Sequence, residues 1–376
     1  MEPVTHFLTG ACIGRAGLNR KTAYATFAAV LAAEAADLDI FWGLAGPVEG
    51  LKHHRGITHT FIAVPFVAAA AVGAVWLYHR WHSHRLALKA KPATPIEPGA
   101  PERPAPQAVR WPWVYVAAFL SALSHIVLDW TNNYGVRPFF PFNPRWYAGS
   151  FVFIAEPVLW ALLLAALIIP GILGLADREI SSARRTPFRG RGWAIFALVG
   201  MVLLWCLRYA EHAQAEALLN NTQITTEPAQ RIGVEPYPIN PFRWHAIVET
   251  PSFYQTAEVN TRTGDIDSEP QTDQFAKPAV TPAVEAAKRT ELGQVYLDWG
   301  RWAVIRDLGP VPIPGIDPPQ LPPGRAWTTV QFTDLRFAYD FRGTGRSART
   351  TPLGGAVYII DGREDAGQAM GGREQK

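Results

Sequence analysis

Histidine and aspartate residues recur at short spacings in the N-terminal third of the 376-residue sequence. His125 and Asp129 are separated by four positions, which places an imidazole and a carboxylate side by side on one face of a helix. Imidazole nitrogen and carboxylate oxygen are ordinary ligands of zinc and other divalent ions. This pair therefore predicts part of a metal site.

Two further motifs offer ligands of the same kind. Asp37 and Asp39 would point apart on a continuous helix, so we expect at least one of them to lie where a helix ends. His54 and His59 flank Gly56, and a glycine there permits a turn sharp enough to bring both rings to one ion. Each motif alone is also compatible with a helix cap or an ordinary polar loop.

Other residues extend the set as ligands or in supporting roles. We predict that Arg55 binds an anionic substrate oxygen, because guanidinium groups form strong charge-assisted hydrogen bonds. Thr58 is predicted to hydrogen-bond a ligand and orient it. The predicted metal ligands are His6, Asp37, Asp39, His54, His59, His125, Asp129 and Glu156.

This ligand set combines nitrogen and oxygen atoms without a thiolate. The two cysteines, Cys12 and Cys206, lie in apolar segments and form no CxxC motif. Such a set suits zinc, with manganese or iron as alternatives. Because it exceeds four residues, it predicts more than one ion, and such ions would activate a water molecule and stabilise charge on a phosphoryl or carbonyl centre.

Apolar segments dominate the first half of the chain and must position these residues. A bilayer core of about 30 Å requires about 20 helical residues. Segment 4–17 is shorter than that, and we expect it to form a hairpin with segment 22–46. The predicted spans are 22–46, 61–78, 111–130, 151–176 and 192–207. Ionisable residues inside spans cost about 2.5–3.5 kcal/mol each on insertion scales, so their presence indicates a function.

Basic residues predict how these spans are oriented. Segments 79–110 and 177–192 are rich in arginine and lysine, which places them in the cytoplasm by the positive-inside rule. Segments 47–60 and 131–150, and the chain after about residue 210, then lie outside the cytoplasm. The predicted ligands converge on this outer face, which favours a metal site over separate caps and polar loops.

The sequence predicts a mainly α protein in which a polytopic helical membrane domain precedes a small antiparallel β domain. The membrane domain covers residues 1–215 and includes a Pro-rich cytoplasmic linker at 92–106. Short alternating segments predict an extracytoplasmic β domain at 220–350, and the composition of 351–376 predicts a disordered tail. A net charge of +3, with the basic residues concentrated in loops, argues against a nucleic-acid partner.

Several motifs together resemble a bacterial family, the LexA-regulated, inner-membrane-bound, metal-dependent hydrolases. The matching motifs are Thr5-His6-Phe7-Leu8-Thr9-Gly10, Asp37-Leu38-Asp39, His54-Arg55-Gly56-Ile57-Thr58-His59 and His125-Ile126-Val127-Leu128-Asp129. The resemblance covers about residues 1–210. Glu156 stands where an aspartate is commoner, and Ala36 replaces the usual proline. The family is similar, more distantly, to the zinc-dependent phospholipase C and P1-type nuclease group, which implies phosphoester hydrolysis.

We therefore expect a multi-pass protein of the bacterial inner membrane that hydrolyses a phosphoester or lipid-linked substrate at the outer face, with membrane lipids as partners. One alternative is a transporter or metal-handling protein that uses the same ligands without turnover, since intramembrane acids also mark ion pathways. A third possibility is a membrane anchor that presents the 220–350 domain for binding.

Overall fold

The computed structural model describes residues 1–89, 107–180, 190–269, 273–277, 279–339 and 353–370. The fold is mainly α, with antiparallel sheets in the C-terminal part, as predicted. The α-helices are α1 Pro3–Arg15, α2 Ala25–Glu34, α3 Pro47–His53, α4 Val64–Lys89, α5 Trp111–Thr131, α6 Pro157–Ile180, α7 Arg191–Asn221, α8 Pro282–Arg289 and α9 Glu291–Trp299. Short 3₁₀ helices occur at Leu18–Arg20, Ala36–Ala45, Ile57–His59 and Leu335–Phe337.

α1 and α2 form a close antiparallel hairpin, in agreement with the expectation for segment 4–17. A Cβ atom at Gly10 would lie 2.9 Å from the Ala29 carbonyl oxygen, and one at Gly14 would lie 2.4 Å from Thr26 Cα. Only glycine allows this approach, and the spacing is that of the GxxxG motif, which brings membrane helices together. α1 also packs against α5, α6 and α7, so it lies at the centre of the bundle.

Three helices in the described part of the chain are long and apolar enough to cross a membrane. They are α5, residues Pro157–Leu175 of α6, and α7. A fourth crossing is formed if Pro47–His59 and Val64–Leu88, which meet at an angle of 90°, act as one broken span. The described residues thus contain three or four candidate spans, whereas the sequence predicts five.

The predicted span at 22–46 is wrong. α2 ends at Glu34, and the chain continues as a 3₁₀ helix over Ala36–Ala45. Asp37 and Asp39 have low helix propensity, because an aspartate side chain competes for backbone hydrogen bonds. The break confirms that these two residues lie beyond the end of a helix.

The C-terminal part contains two antiparallel sheets and two helices. The first sheet has the order β1–β2–β3–β4, with β5 also paired to β3. Its strands are β1 Arg231–Pro236, β2 Arg243–Glu249, β3 Phe253–Asn260, β4 Asp265–Asp267 and β5 Gln274–Ala276. The second sheet has the order β6–β7–β8–β9, with strands β6 Ala303–Asp307, β7 Trp327–Asp334, β8 Gly355–Ile360 and β9 Glu364–Met370. α8 and α9 pack on this second sheet, and α9 also contacts α3 of the membrane domain.

The prediction of a disordered tail at 351–376 is wrong for residues 355–370. The apolar segment Gly355–Ile360 pairs with β7, and Val357, Tyr358 and Ile359 are fully buried in the second sheet. The abundant Gly, Arg and Glu residues around this segment obscured the apolar strand in the composition. Residues 371–376 and the predicted linker at 92–106 lie outside the described residues.

Candidate metal centre

Four of the predicted ligands bring one donor atom each into a cluster in which all four atoms lie within 4.8 Å of one another. The residues are Asp37, His59, His125 and Asp129. The two histidine Nε2 atoms are 3.0 Å apart. Asp37 Oδ1 lies 3.2 Å from the Nε2 of His59 and 3.5 Å from that of His125, and Asp129 Oδ2 lies 3.4 Å from both.

Three elements position this cluster at one end of the helical bundle. α5 supplies His125 and Asp129 from the same face, because residues four positions apart are neighbours on a helix. The 3₁₀ helix Ala36–Ala45 supplies Asp37, and the 3₁₀ helix Ile57–His59 supplies His59 at its last position. The histidines and Asp129 are fully buried, whereas the Asp37 side chain is 18% exposed, so the cluster opens on the Asp37 side.

The hydrogen bond made by Nδ1 of each histidine fixes the orientation of the ring, so that Nε2 faces the cluster. His125 Nδ1 lies 2.6 Å from the backbone carbonyl oxygen of Ala33, which can only accept, so Nδ1 carries the proton. His59 Nδ1 lies 3.2 Å from Asp39 Oδ2, and the same reasoning applies to it. Each Nε2 atom therefore faces the cluster, where it would bind a metal ion through the lone pair of the neutral imidazole, and metal-binding histidines are commonly oriented in this way.

This arrangement fits a divalent cation. Two Nε2 atoms, Asp37 Oδ1 and Asp129 Oδ2 face one another. Asp129 Oδ2 and the second Asp37 oxygen, Oδ2, are buried without a hydrogen-bond partner. Buried acceptors of this kind are costly unless a proton or a cation satisfies them. A set of two imidazoles and two carboxylates is sufficient for one ion of the zinc class.

Arg55 holds Asp129 in place from behind the cluster. Its Nη2 lies 2.8 Å from Asp129 Oδ1, and Nη1 donates to the Gly135 carbonyl oxygen at 2.6 Å. The guanidinium group stacks on the Tyr134 ring at 4.6 Å and is 2% exposed. The α-amino group of Met1 also contacts Asp129 Oδ1. The sequence predicts that Arg55 binds substrate, but these contacts assign it to positioning Asp129, because its side chain is already bonded and buried.

Asp39 lies outside the cluster and supports it. Its Oδ2 accepts from the Arg55 backbone amide at 2.8 Å and contacts His59 Nδ1, and its Oδ1 lies 3.1 Å from His54 Nδ1. Burial alone would raise the pKa of Asp39, but the hydrogen bonds from His54 and His59 hold it below its usual range. Thr58 Oγ1 contacts both His59 Nδ1 and Asp39 Oδ2, at 3.1 and 3.4 Å. The structure thus places Asp39 and His54, two of the predicted ligands, behind His59.

His6 adjoins the cluster through stacking and a longer polar contact. Its ring stacks on that of His125 with centroids 3.7 Å apart, and its Nε2 lies 3.4 Å from Asp129 Oδ1. Both ring nitrogens of His6 are buried without a hydrogen-bond partner. His6 is therefore available to a cation bound nearby, although it does not belong to the four-residue cluster.

Glu156, by contrast, is engaged elsewhere, so its prediction as a ligand is wrong. Its Oε2 forms a fully buried ion pair with Arg208 Nη2 at 2.6 Å. Its Oε1 accepts from the backbone amides of Ile239 and Val158 at 3.1 and 3.4 Å. Both carboxylate oxygens of Glu156 are therefore bonded at the junction between α6, α7 and the C-terminal part.

The C-terminal part contributes contacts that sequence reasoning missed. Arg336, 1% exposed, donates to the carbonyl oxygens of Asn133 at 2.9 Å and Trp299 at 3.0 Å. Trp299 Nε1 in turn donates to the Tyr134 carbonyl oxygen at 3.3 Å. These bonds fix the segment that follows α5 and carries the ring beneath Arg55. No local motif could have indicated them, because the partners are far apart in sequence.

The fold and the cluster define a class: helical membrane proteins with a buried His/Asp centre at one end of the bundle. The chain belongs to the family of YdjM inner membrane proteins, which matches residues 1–215. This assignment agrees with the inner-membrane family that the motifs resemble.

A curated relative is the uncharacterized protein YfhP of Bacillus subtilis (strain 168). The two sequences are 25% identical over 193 residues, which cover 47% of this chain and 50% of the relative. The chain therefore spans about half the length of this relative. No solved structure gives a significant match to the chain.

Proposed function

We propose that this chain is a metal-dependent hydrolase of the inner membrane that acts on a phosphoester or lipid-linked substrate. The observation that carries the proposal is the orientation of His59 and His125, whose Nε2 atoms lie 3.0 Å apart between two carboxylates. A divalent cation bound among these four donor atoms would satisfy all of them at once.

The residues around the cluster have separable roles. A bound zinc, manganese or iron ion would lower the pKa of a coordinated water and polarise an ester oxygen. Asp37, His59, His125 and Asp129 would hold it, while Arg55 and Asp39 keep Asp129 and His59 in position. His6, which adjoins the cluster and has no hydrogen-bond partner, is the residue available to a second ion.

The surface beside the open side of the cluster favours an amphipathic substrate. Asp37 is the partly exposed ligand, and its own 3₁₀ helix turns apolar side chains outward. The exposed side chains of this rim are Leu38 59%, Ile40 69%, Phe41 62%, Trp42 51% and Leu44 86%. Such a contiguous apolar surface indicates contact with lipid. A lipid-linked phosphoester in that leaflet would present its headgroup to the opening beside Asp37.

The distribution of basic residues supports an outer location for the site. The turn Leu18–Arg20 and the starts of α5 and α7 lie at the opposite end of the bundle from His125 and Asp129. By the positive-inside rule that basic end faces the cytoplasm, so the cluster and the C-terminal sheets face outward. The phosphoester substrate is proposed by analogy with the zinc-dependent phospholipase C and P1-type nuclease group, to which the family resembled by the motifs is more distantly similar.

The proposal is tested on the full chain purified in detergent. Elemental analysis should find at least one divalent ion per chain, and the protein should hydrolyse bis(p-nitrophenyl) phosphate and a phospholipid in mixed micelles. His125→Ala and Asp37→Ala should lose both the ion and the hydrolysis. His84→Ala, at the opposite end of the bundle, is the matched control and should retain both.

Two results would contradict the proposal. The first is less than one bound ion per chain after metal has been added back. The second is a fully loaded protein that hydrolyses neither substrate but moves the ion into vesicles in an Asp37-dependent manner, which would assign it to the transporters.

A further inference from the structure

A lateral cavity lies at the end of the bundle opposite the metal centre. It has a volume of about 790 Å³ and is lined by Ile13, Ala16, Gly17, Leu18, Arg20, Lys21, Trp113, Leu120, Arg191 and Leu198. α1 forms its floor, and α5 and α7 form its walls. The cavity exists because α1 has only 13 residues and ends at Arg15, whereas the flanking helices have 21 and 31.

The charged side chains at the cavity are all basic among the described residues that line it. Arg20, Lys21 and Arg191 surround its mouth, and none of the described residues that line it is acidic. Lys21 Nζ lies over the Trp113 ring at 5.4 Å, and Arg191 Nε donates to the Ala16 carbonyl oxygen at 3.2 Å. These contacts hold Lys21 and Arg191 at the rim of the cavity. The positively charged rim can therefore bind an anion.

The deeper part of the cavity is apolar. Ile13, Leu120 and Leu198 line it along the helices, below the level of the basic mouth. Leu120 is 44% exposed although it lies within a candidate membrane span, so lipid covers it in the bilayer. An occupant must therefore combine an anionic head with an acyl chain.

We propose that this cavity is a binding site for one anionic phospholipid of the leaflet at the basic end of the bundle. The phosphate of its headgroup lies among Arg20, Lys21 and Arg191, and one acyl chain lies on α1 between α5 and α7. Basic pockets between membrane helices recognise anionic lipid headgroups by this combination of charge and depth. The site is independent of the proposed hydrolysis, because it lies at the other end of the bundle.

The test measures lipid that remains bound to the full chain. Protein purified in mild detergent is exchanged into detergent containing equal amounts of phosphatidylglycerol and phosphatidylethanolamine, and native mass spectrometry counts the lipids retained. One phosphatidylglycerol per chain is expected. The double variant Lys21→Gln/Arg191→Gln should weaken its binding about 30-fold, since each basic residue near a membrane surface contributes a factor of about 5.

Two further variants separate the parts of the proposal. Arg80→Gln/Arg85→Gln removes the same charge from α4, where these residues stack on Trp76 and Trp81, and should leave the retained lipid unchanged. Leu120→Trp fills the apolar part, keeps all charges and should also release the lipid. Equal retention of phosphatidylethanolamine, or equal loss in both double variants with unchanged thermal melting, would overturn the proposal. Retention in Leu120→Trp would overturn the placement of the acyl chain and leave a site for phosphate alone.

Discussion

Because Glu156 pairs with Arg208, we predict that substitutions in this ion pair lower the stability of the protein without reducing its metal content. Both side chains are fully buried, and their closest atoms are 2.6 Å apart. Removing one partner leaves the other charge buried without compensation, which costs about 3–5 kcal/mol. Arg208→Met should therefore lower stability by about that amount, a change of at least about 100-fold in the folding equilibrium.

The double variant Glu156→Gln/Arg208→Met provides the internal check. The amide introduced at position 156 would keep an oxygen for the backbone N–H groups of Ile239 and Val158, and no uncompensated charge would remain. The loss of stability in the double variant should be well below the sum of the two single losses, because replacing a whole buried pair is often nearly neutral.

The assay combines thermal melting of the full chain in detergent with elemental analysis of bound metal. The matched control is Arg325→Met, which removes one partner of the exposed Arg325–Asp361 pair and should cost about 1 kcal/mol or less. All of these variants should keep the metal content of the parent chain at temperatures where they are folded. A Glu156→Gln variant that melts like the parent chain but has lost its ion would refute the reasoning and restore Glu156 as a ligand.

Three other perturbations have defined outcomes. Asp39→Ala removes the acceptor for His59 Nδ1 and should weaken zinc affinity about 10–100-fold in chelator competition without abolishing binding at saturating zinc. Arg336→Lys cannot replace the planar fork of hydrogen bonds and should speed amide hydrogen exchange in residues 132–135. Burial raises the pKa of Glu235 from 4.5 to about 8, so between these pH values the folded chain holds a proton that the unfolded chain has lost. The free energy of unfolding should therefore fall by about 1.4 kcal/mol for each unit that the pH rises in this range. Glu235→Gln should remove this dependence in melting curves.

The four members of the cluster are among the eight ligands predicted from the sequence, but spacing alone did not separate them from the other four. His125 and Asp129 share a helix face, and His59 follows a glycine turn, so each lies where the pattern places it. The separate roles of Asp37 and Asp39 could not be predicted, because both are carboxylates near a helix end. Only the contacts with the two nitrogens of His59 show that one faces the cluster and the other supports it.

Non-local contacts explain the remaining errors. Glu156 has the residue type and the depth of a ligand, but the partner that removes it from the cluster, Arg208, lies on another helix. The 22–46 segment has the composition of a span, but its 3₁₀ helix is stabilised by contacts of Asp39 with the His54–His59 segment.

The contacts of Arg336 link the C-terminal part to the residues that position Asp129 in the candidate metal centre. Arg336 and Trp299 hold the backbone that follows α5, and the Tyr134 ring in that segment lies beneath the guanidinium of Arg55. Arg55 in turn fixes the Asp129 oxygen that does not face the cluster. A side chain that is 2% exposed, stacked on Tyr134 and hydrogen-bonded to Gly135 has little freedom to reorient. The position of Asp129 therefore depends on residues beyond the family match, which ends at 215. A C-terminal part attached only as a binding module would have no reason to bury an arginine against the segment that supports a predicted metal ligand. This contact argues against the simple membrane anchor and for a structural contribution of α9 and the second sheet to the candidate centre.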